Sequence, residues 1–359
     1  MFTNIHIERF RGIPSLDIDG LKPINLIVGK NNSGKTSVLE AIFLLCGATD
    51  PMNSVKVANQ RGQRMTTKDD ADSAWRSLFH QMDVNKTIEI GITQSDRYTR
   101  RLGIEAPSSL RQRTLFEEFE TKDIHKIGGV RFNYRSSGIP RTVITEVMHV
   151  WRRFAGSRPT RIDSYTAKPD EADVLPASFL SARSFVSLRR DANRYSNLVK
   201  ARAEQSVLDA LQVVEPKLKR LAVISESSDA TIYVDLGGES LIPMAVCGEG
   251  MLRLFSIILA ITNSHDGVLL VDEIDNGLHH TVMEELWPVL RKLCAEHNVQ
   301  LFATTHNEEM LRHAIEAFRG DLCNLGLFRL DRNKDGLRAA SYNAEALEGV
   351  LETGWEVRG

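Results

Sequence analysis

Eight residues, Gly29 to Thr36 (GKNNSGKT), have the types and spacing to hold a phosphate chain. Glycines let a loop curl so that successive backbone N–H groups face one anion, and a helix starting behind the loop adds partial positive charge. Here an apolar run, INLIVG, precedes the loop and a helix-forming tail follows it, which is the context such a loop needs. Gly29, Asn31, Asn32, Ser33, Gly34, Lys35, Thr36 and Ser37 are therefore the candidate nucleotide-binding residues. Lys35 is expected to reach the β- and γ-phosphates of ATP, and the Thr36 hydroxyl to ligate Mg²⁺.

A second constellation, GVLLVDE (Gly267 to Glu273), sets two carboxylates directly after an apolar strand. Asp272 is expected to hold the Mg²⁺ shell, and Glu273 to polarise the attacking water as general base. Alone, a strand ending in Asp-Glu is commonplace, and its weight comes from the phosphate loop upstream. LFATTHN places His306 at the end of a further strand, where it could contact the γ-phosphate. The adjacent His279 and His280 are expected to splay apart on a helix, and no third ligand is spaced to join them in a metal site. CGEGMLR (Cys247 to Arg253) reads as a glycine-rich turn that opens a helix.

The elements that must position these residues follow from periodicity. NIHIERF and SLDIDG alternate as half-buried strands, whereas INLIVG is a continuous apolar run suited to burial on both faces. Residues Ala48 to Asp70 read as irregular, and the pattern breaks down around APSSLRQR. EVMHVWRRF reads as helical between the strands GVRFNYR and ASFLSA, and Phe185 to Leu221 carries helical spacing. From GVLLVDE onward the chain alternates strand and helix, which predicts parallel βαβ units. Pro288 predicts a kink or break in the helix HTVMEELWPVLRKLCAEH.

With 359 residues, 42% of them hydrophobic, the chain can bury a sizeable core, and its net charge of −2 gives no argument for a polyanionic partner. The distribution is less even: Arg97 to Arg202 holds 21 Lys/Arg against 11 Asp/Glu. Four cysteines without CxxC spacing indicate neither zinc nor a disulfide framework, and the longest apolar stretch, LFSIILAI, is too short to span a bilayer. A cytoplasmic protein without membrane contact is expected.

Together, IERFRGIPSLDIDGLKPINLIVGKNNSGKTSVLEAI, GEGMLRLFSIILAI, LLVDEIDNGLHH and FATTHNEEML resemble the ATP-binding-cassette (ABC) ATPases of the SMC and RecF group, most closely the ATPase half of OLD (overcoming lysogenization defect) defence proteins. The resemblance implies an α/β P-loop ATPase head with a mixed or parallel core sheet, an antiparallel β lobe and a helical lobe. Residues 1–48 and 222–359 would form the nucleotide-binding core, and 49–221 the β lobe and helical insertion. It also implies that Gly248, Glu249 and Gly250 form a signature turn that contacts the nucleotide of a second copy, hence a homodimer or a higher homo-oligomer built from dimers. Arg11 would approach the nucleotide, and Asp275 with Asn276 would form a loop crossing the dimer interface.

The sequence departs from that pattern in three places. Cys247 replaces a signature serine, with Glu249 interrupting the glycine pair. No lid-coupling glutamine follows ASFLSARS, where Ser181 to Arg183 stand instead. After His306 only 53 residues remain, too few for the nuclease domain of OLD proteins. The 237 positions between Lys35 and Asp272 hold no sustained heptads, so no long coiled coil is expected. The leading expectation is an ATPase switch for a separate effector protein in antiphage defence. The alternative is a RecF-like nucleic-acid clamp, motivated by Arg152, Arg153, Arg189, Arg190 and Arg194 among Trp151, Phe154, Phe185 and Tyr195.

Overall fold

A computed structural model describes residues 1–50, 52–63, 73–106, 124–138, 142–152, 160–166, 175–183, 188–226, 229–333 and 336–353. All of APSSLRQR but Ala106, and Arg153, Phe154 and Phe185, lie outside the described residues. The chain divides into two compact units: Met1–Leu21, Lys30–Leu175 and Leu330–Ser341 form the first, and Lys22–Gly29, Pro176–Arg329 and Tyr342–Gly359 the second. Elements are numbered in chain order.

In the first unit, β1 (Phe2–Phe10), β2 (Ile13–Asp19), β4 (Ile88–Gln94), β5 (Thr99–Glu105), β6 (Ile124–Ser136), β7 (Val143–Arg152) and β8 (Thr160–Thr166) form one sheet in the order β2-β1-β4-β5-β6-β7-β8, antiparallel throughout. Alternation along β1 and β2 sends Phe2, Ile5, Ile7, Phe10, Ile13, Leu16 and Ile18 into the core and leaves polar residues between them. The same unit carries α1 (Lys35–Cys46) and α2 (Met52–Gln60).

Two expectations fail in this unit. EVMHVWR lies in strand β7, because it pairs on both sides, with β6 and β8, and cross-strand pairing outweighs its helical spacing. Within Ala48 to Asp70, α2 is a regular helix. Its polar Asn53 and Ser54 are buried, and Asn53 donates from Nδ2 to the Gly47 carbonyl at 3.2 Å, which makes a polar sequence compatible with a packed helix.

In the second unit, β15 (Leu325–Asn333), β3 (Ile24–Val28), β14 (Gln300–Thr304), β13 (Val268–Val271) and β9 (Ala177–Leu180) lie side by side in that order, all parallel. β3, β13 and β14 are buried at every position, as their uninterrupted apolar runs require. The helices are α3 (Leu188–Ala201), α4 (Gln205–Val214), α5 (Glu249–Thr262), α6 (His280–Glu296) and α7 (Glu308–Ala317), with a small antiparallel sheet of β10 (Arg220–Glu226), β11 (Asp229–Asp235) and β12 (Ile242–Pro243).

Helix α5 is buried on nearly all sides, with Leu254, Phe255, Ile257, Ile258, Leu259 and Ile261 at most 2% exposed. Each such side chain contributes about 1.5–3 kcal/mol of burial. Helix α6 runs unbroken through Pro288, which stands on its exposed face, where water can meet the carbonyl left without a donor. His279 and His280 do not splay: their rings lie 3.9 Å apart between centroids, because His279 is the extended residue before the helix and His280 its first. Among the described residues no helix is long and apolar enough to cross a membrane.

Candidate functional site

Parallel strands deliver their C-terminal ends to one edge of a sheet. In the second unit that edge receives Gly29 from β3, Asp272 and Glu273 from β13, and Thr304 to His306 from β14, with β14 lying between the other two. Gly29 has φ +142°, a conformation suited to glycine, and the phosphate loop starts there.

The carboxylate pair is fixed by the threonines of β14. Thr304 Oγ1 donates to Asp272 Oδ1 at 2.7 Å and accepts the Glu273 N–H at 2.8 Å, while the Ile274 N–H reaches the Thr304 carbonyl at 2.9 Å. Asp272 extends β13 by one bond, from its N–H to the Leu180 carbonyl at 2.9 Å. Glu273 stands at φ +49°, a left-handed backbone that costs a non-glycine residue about 1–2 kcal/mol, so the bonds around it must hold it there. Thr305 Oγ1 donates to Asp275 Oδ1 at 2.6 Å, and Asp275 is buried. His306 follows, exposed, and Asn307 caps α7 through the Glu309 and Met310 N–H groups.

The turn before α5 lies against the loop after β13. Gly248 takes φ +100°, the Glu249 side chain covers Gly277 so closely that a Cβ there would meet its carboxyl carbon at 3.0 Å, and a Cβ on Gly250 would come within 3.4 Å of the Gly277 carbonyl. One helical turn on, Arg253 is 1% exposed and donates from Nη2 to the Glu273 carbonyl and, at 3.4 Å, to the Asp272 carbonyl. Burial draws its guanidinium down to about 10, against the opposing pull of Asp275, Glu249, Glu273 and Asp272, so it stays charged at neutral pH. The Cys247 thiol is pushed up by burial and by Glu215, which makes it a poor nucleophile.

In the first unit the loop continues with Lys30, Asn31 and Asn32 exposed and Asn32 at φ +63°. Ser33 is 4% exposed, its N–H bonds the Lys30 carbonyl at 3.2 Å, and its Oγ has no partner. Gly34, at φ +103°, precedes α1 without a side-chain cap, and the first turn of that helix has no acidic residue. Lys35 Nζ bonds the Lys30 carbonyl at 3.0 Å. Thr36 is half-buried.

Two expected site residues are tied into a cluster on α1. Glu40, 1% exposed, takes Arg61 through both carboxylate oxygens, at 2.6 and 3.0 Å, and lies 2.7 Å from Arg11 Nε. Arg61 also donates to Ser37 Oγ at 3.3 Å. Arg11 has φ +50°, is anchored by its N–H to the Leu78 carbonyl at 2.7 Å, and accepts from His80 Nδ1 at 2.8 Å. Burial draws its guanidinium down to about 10, with Glu40 opposing.

Of the arginine and aromatic residues that suggested nucleic acid, four on or beside α3 can be placed among the described residues. Tyr195 is 3% exposed and packs on Phe255, and Arg194 donates to Ser178 Oγ at 2.9 Å; Arg189 and Arg190 remain accessible. Sequence reading missed Arg253, Thr304 and Thr305. The only sequence signal for the threonines is their place immediately before His306.

Residues 24–312 match the family profile described as "AAA domain, putative AbiEii toxin, Type IV TA system". A Helicobacter pylori protein named ATP/GTP phosphatase is 20% identical over 375 residues, covering 98% of both chains. The DNA replication and repair protein RecF of Francisella tularensis subsp. novicida is 51% identical over only 43 residues, 12% of each chain. An SMC head bound to the C-terminal winged-helix domain of ScpA shares the fold at TM-score 0.53 and 13% identity, covering 98% of this chain and 99% of that one. A Pyrococcus furiosus-related SMC head with an extended coiled coil, also bound to a C-terminal domain of ScpA, does so at TM-score 0.52 and 11% identity, covering 98% of each. With well over half of its length matched, the chain belongs to this AAA-domain family, and it shares the fold of SMC head domains, without a long coiled coil among its described residues.

Proposed function

We propose that the chain binds ATP with Mg²⁺, hydrolyses it, and uses the cycle as a switch for a separate effector protein in prokaryotic antiphage defence. The observation that carries this reading is the shared strand edge: the phosphate loop leaves β3 where β13 and β14 deliver Asp272, Glu273 and His306. The loop suits a phosphate chain. It offers left-handed backbone at Asn32 and Gly34, the uncapped N–H groups of α1, and the unpartnered buried Ser33 hydroxyl.

Lys35 would leave the Lys30 carbonyl for the β- and γ-phosphates. Thr36 and Asp272 would hold Mg²⁺, which supplies positive charge against the phosphate oxygens. Glu273 would take a proton from water as its oxygen attacks the γ-phosphorus, the bond to the bridging oxygen breaks, and ADP departs with that electron pair. His306, exposed at the same edge, would contact the γ-phosphate.

Pairing of two copies across ATP, with the Gly248–Gly250 turn of one facing the nucleotide of the other, follows the resemblance to SMC-type heads. Both SMC heads above were solved with a piece of a partner protein, ScpA. The family description names a toxin of a toxin–antitoxin system, and together these support a partner-coupled switch of the OLD type. In the test, Lys35→Ala should abolish ATP affinity. Glu273→Gln should slow turnover about 10²-fold or more while keeping ATP-dependent pairing, read by light scattering. A wild-type protein that stays single with ATP, or Lys35→Ala with full affinity, overturns the reading.

A further inference from the structure

We propose that Arg253 is a positioning residue that couples the Gly248–Gly250 turn to the general base of its own chain, Glu273. The proposal rests on the reading above, in which Glu273 activates water and the turn meets the nucleotide of a second copy.

Three bonds from other elements hold the left-handed backbone at Glu273, beside the local one from the Asn276 N–H. Two come from Thr304 on β14: its hydroxyl takes the Glu273 N–H, and its carbonyl takes the Ile274 N–H. Thr304 belongs to a strand paired on both sides within a buried sheet, so this support is fixed. The third is the Arg253 guanidinium on the Glu273 carbonyl, which also accepts the Asn276 N–H at 3.0 Å. Arg253 comes from another element, three residues beyond Gly250 on α5, which begins at the turn itself.

Helix α5 is suited to transmit displacement. It is encased in apolar contacts and also pinned at Ser256, whose hydroxyl donates to the buried Asp191 at 2.5 Å. A shift of its first turn must therefore pass along the helix as a body. The charges agree with a positioning role: Arg253 is a cation set among Asp275, Glu249, Glu273 and Asp272, and it donates hydrogen bonds to the backbone carbonyls of Asp272 and Glu273. A group that grips the carbonyls on either side of the Glu273 Cα sets where the Glu273 side chain starts. Displacement of the Gly248–Gly250 turn by the partner's nucleotide would thus be felt at Glu273 of the same chain.

Arg253→Lys keeps the charge and loses the planar fork, whereas Arg253→Met keeps the bulk and loses the charge. Both are compared with wild type for melting temperature, ATP affinity, KM and kcat. Arg253→Lys should melt close to wild type with ATP affinity and KM within about twofold and kcat down about tenfold or more, which is the loss of an interaction made in the transition state. A kcat within about twofold of wild type in a folded Arg253→Lys protein overturns the proposal.

Mixed dimers of two differently tagged chains decide the direction of coupling, calibrated against a wild-type/Glu273→Gln pair. With Arg253→Met and Glu273→Gln on the same chain opposite a wild-type chain, activity should equal that calibration. With the two substitutions on different chains, both sites lose their base and activity should fall to background. The reverse pattern, or equal rates in the two arrangements, overturns the proposal. A wild type that neither pairs nor turns over ATP would instead defeat the underlying reading.

Discussion

Two arginines, one in each unit, are buried to nearly the same degree and drawn to the same guanidinium value of about 10, yet they are matched in opposite ways. Arg11 faces a carboxylate: Glu40 lies against it at 2.7 Å and binds Arg61 as well. Arg253 faces backbone, the carbonyls around a residue at φ +49°. An arginine paired with an acid holds two elements together and has little reason to care how either backbone bends. An arginine on carbonyls fixes a backbone conformation. The contrast separates a residue that keeps α1 in place from one that fixes the backbone at Glu273, the proposed general base.

The largest expected effect breaks the first half of that contrast. Glu40→Ala leaves two guanidinium groups facing each other where one carboxylate held both. Stripping one partner from a buried ion pair costs about 3–5 kcal/mol. Urea unfolding should therefore show a large loss of stability for Glu40→Ala. Arg11→Met combined with Glu40→Leu should recover part of it, because apolar residues of similar bulk replace the buried pair and the charge that remains, Arg61, is partly exposed to water. Were the double variant as unstable as the single, Arg11 would be doing more than pairing.

A middle-sized effect tests the second half. Thr304→Val keeps the shape of β14 but removes the hydroxyl that serves Asp272 and the Glu273 N–H together. A buried donor left without a partner costs about 1–3 kcal/mol. Stability should fall by that amount in urea, less than for Glu40→Ala. ATP turnover should fall further than stability alone explains, since the Glu273 backbone would then rest on Arg253 and the Thr304 carbonyl. Loss of stability with unchanged kcat would show that Arg253 alone is enough to aim the base.

What the sequence could and could not reveal follows the same division. The loop at Gly29 to Thr36 and the pair Asp272-Glu273 are legible because their chemistry is local: one run of residues makes the loop, and one strand end presents the acids. The two larger sheets are legible too, from alternation in β1 and β2 against the unbroken run of β3. Arg253 and Thr304 are not, because their partners lie 19 to 32 residues away and include backbone groups, which every residue has and no motif marks. EVMHVWR has helical spacing yet is a strand, because pairing with β6 and β8, the strands immediately before and after it, decides its state. Among the expected site residues, Arg11 and Ser37 carry a type that fits phosphate, but Glu40 and Arg61, which engage them here, stand outside the motif.

The smallest effect uses pH to show that neither arginine is the titrating group near neutrality. Both stay protonated between pH 5.5 and 7.5, being held near 10. At the opposite edge of the parallel sheet, where β13 and β14 begin, His297 Nδ1 lies 3.0 Å from His265 Nε2, and the Asp266 N–H bonds the His297 carbonyl at 3.1 Å. Burial first and His265 second lower His297 from its ordinary 6.5, against a weaker opposing pull from Glu296. Because the unfolded chain then binds the proton more readily than the folded one, this contribution is present above about pH 6.5 and is lost as pH falls through the folded value. His297 is only partly buried, so the loss should be smaller than that of Thr304→Val. Urea midpoints at pH 7.5 and 5.5 should differ less in His265→Gln than in wild type, since the substitution removes the second cause of the lowered His297 value but leaves both arginines untouched. An unchanged difference would place the titrating group elsewhere and leave the histidine pair a packing contact.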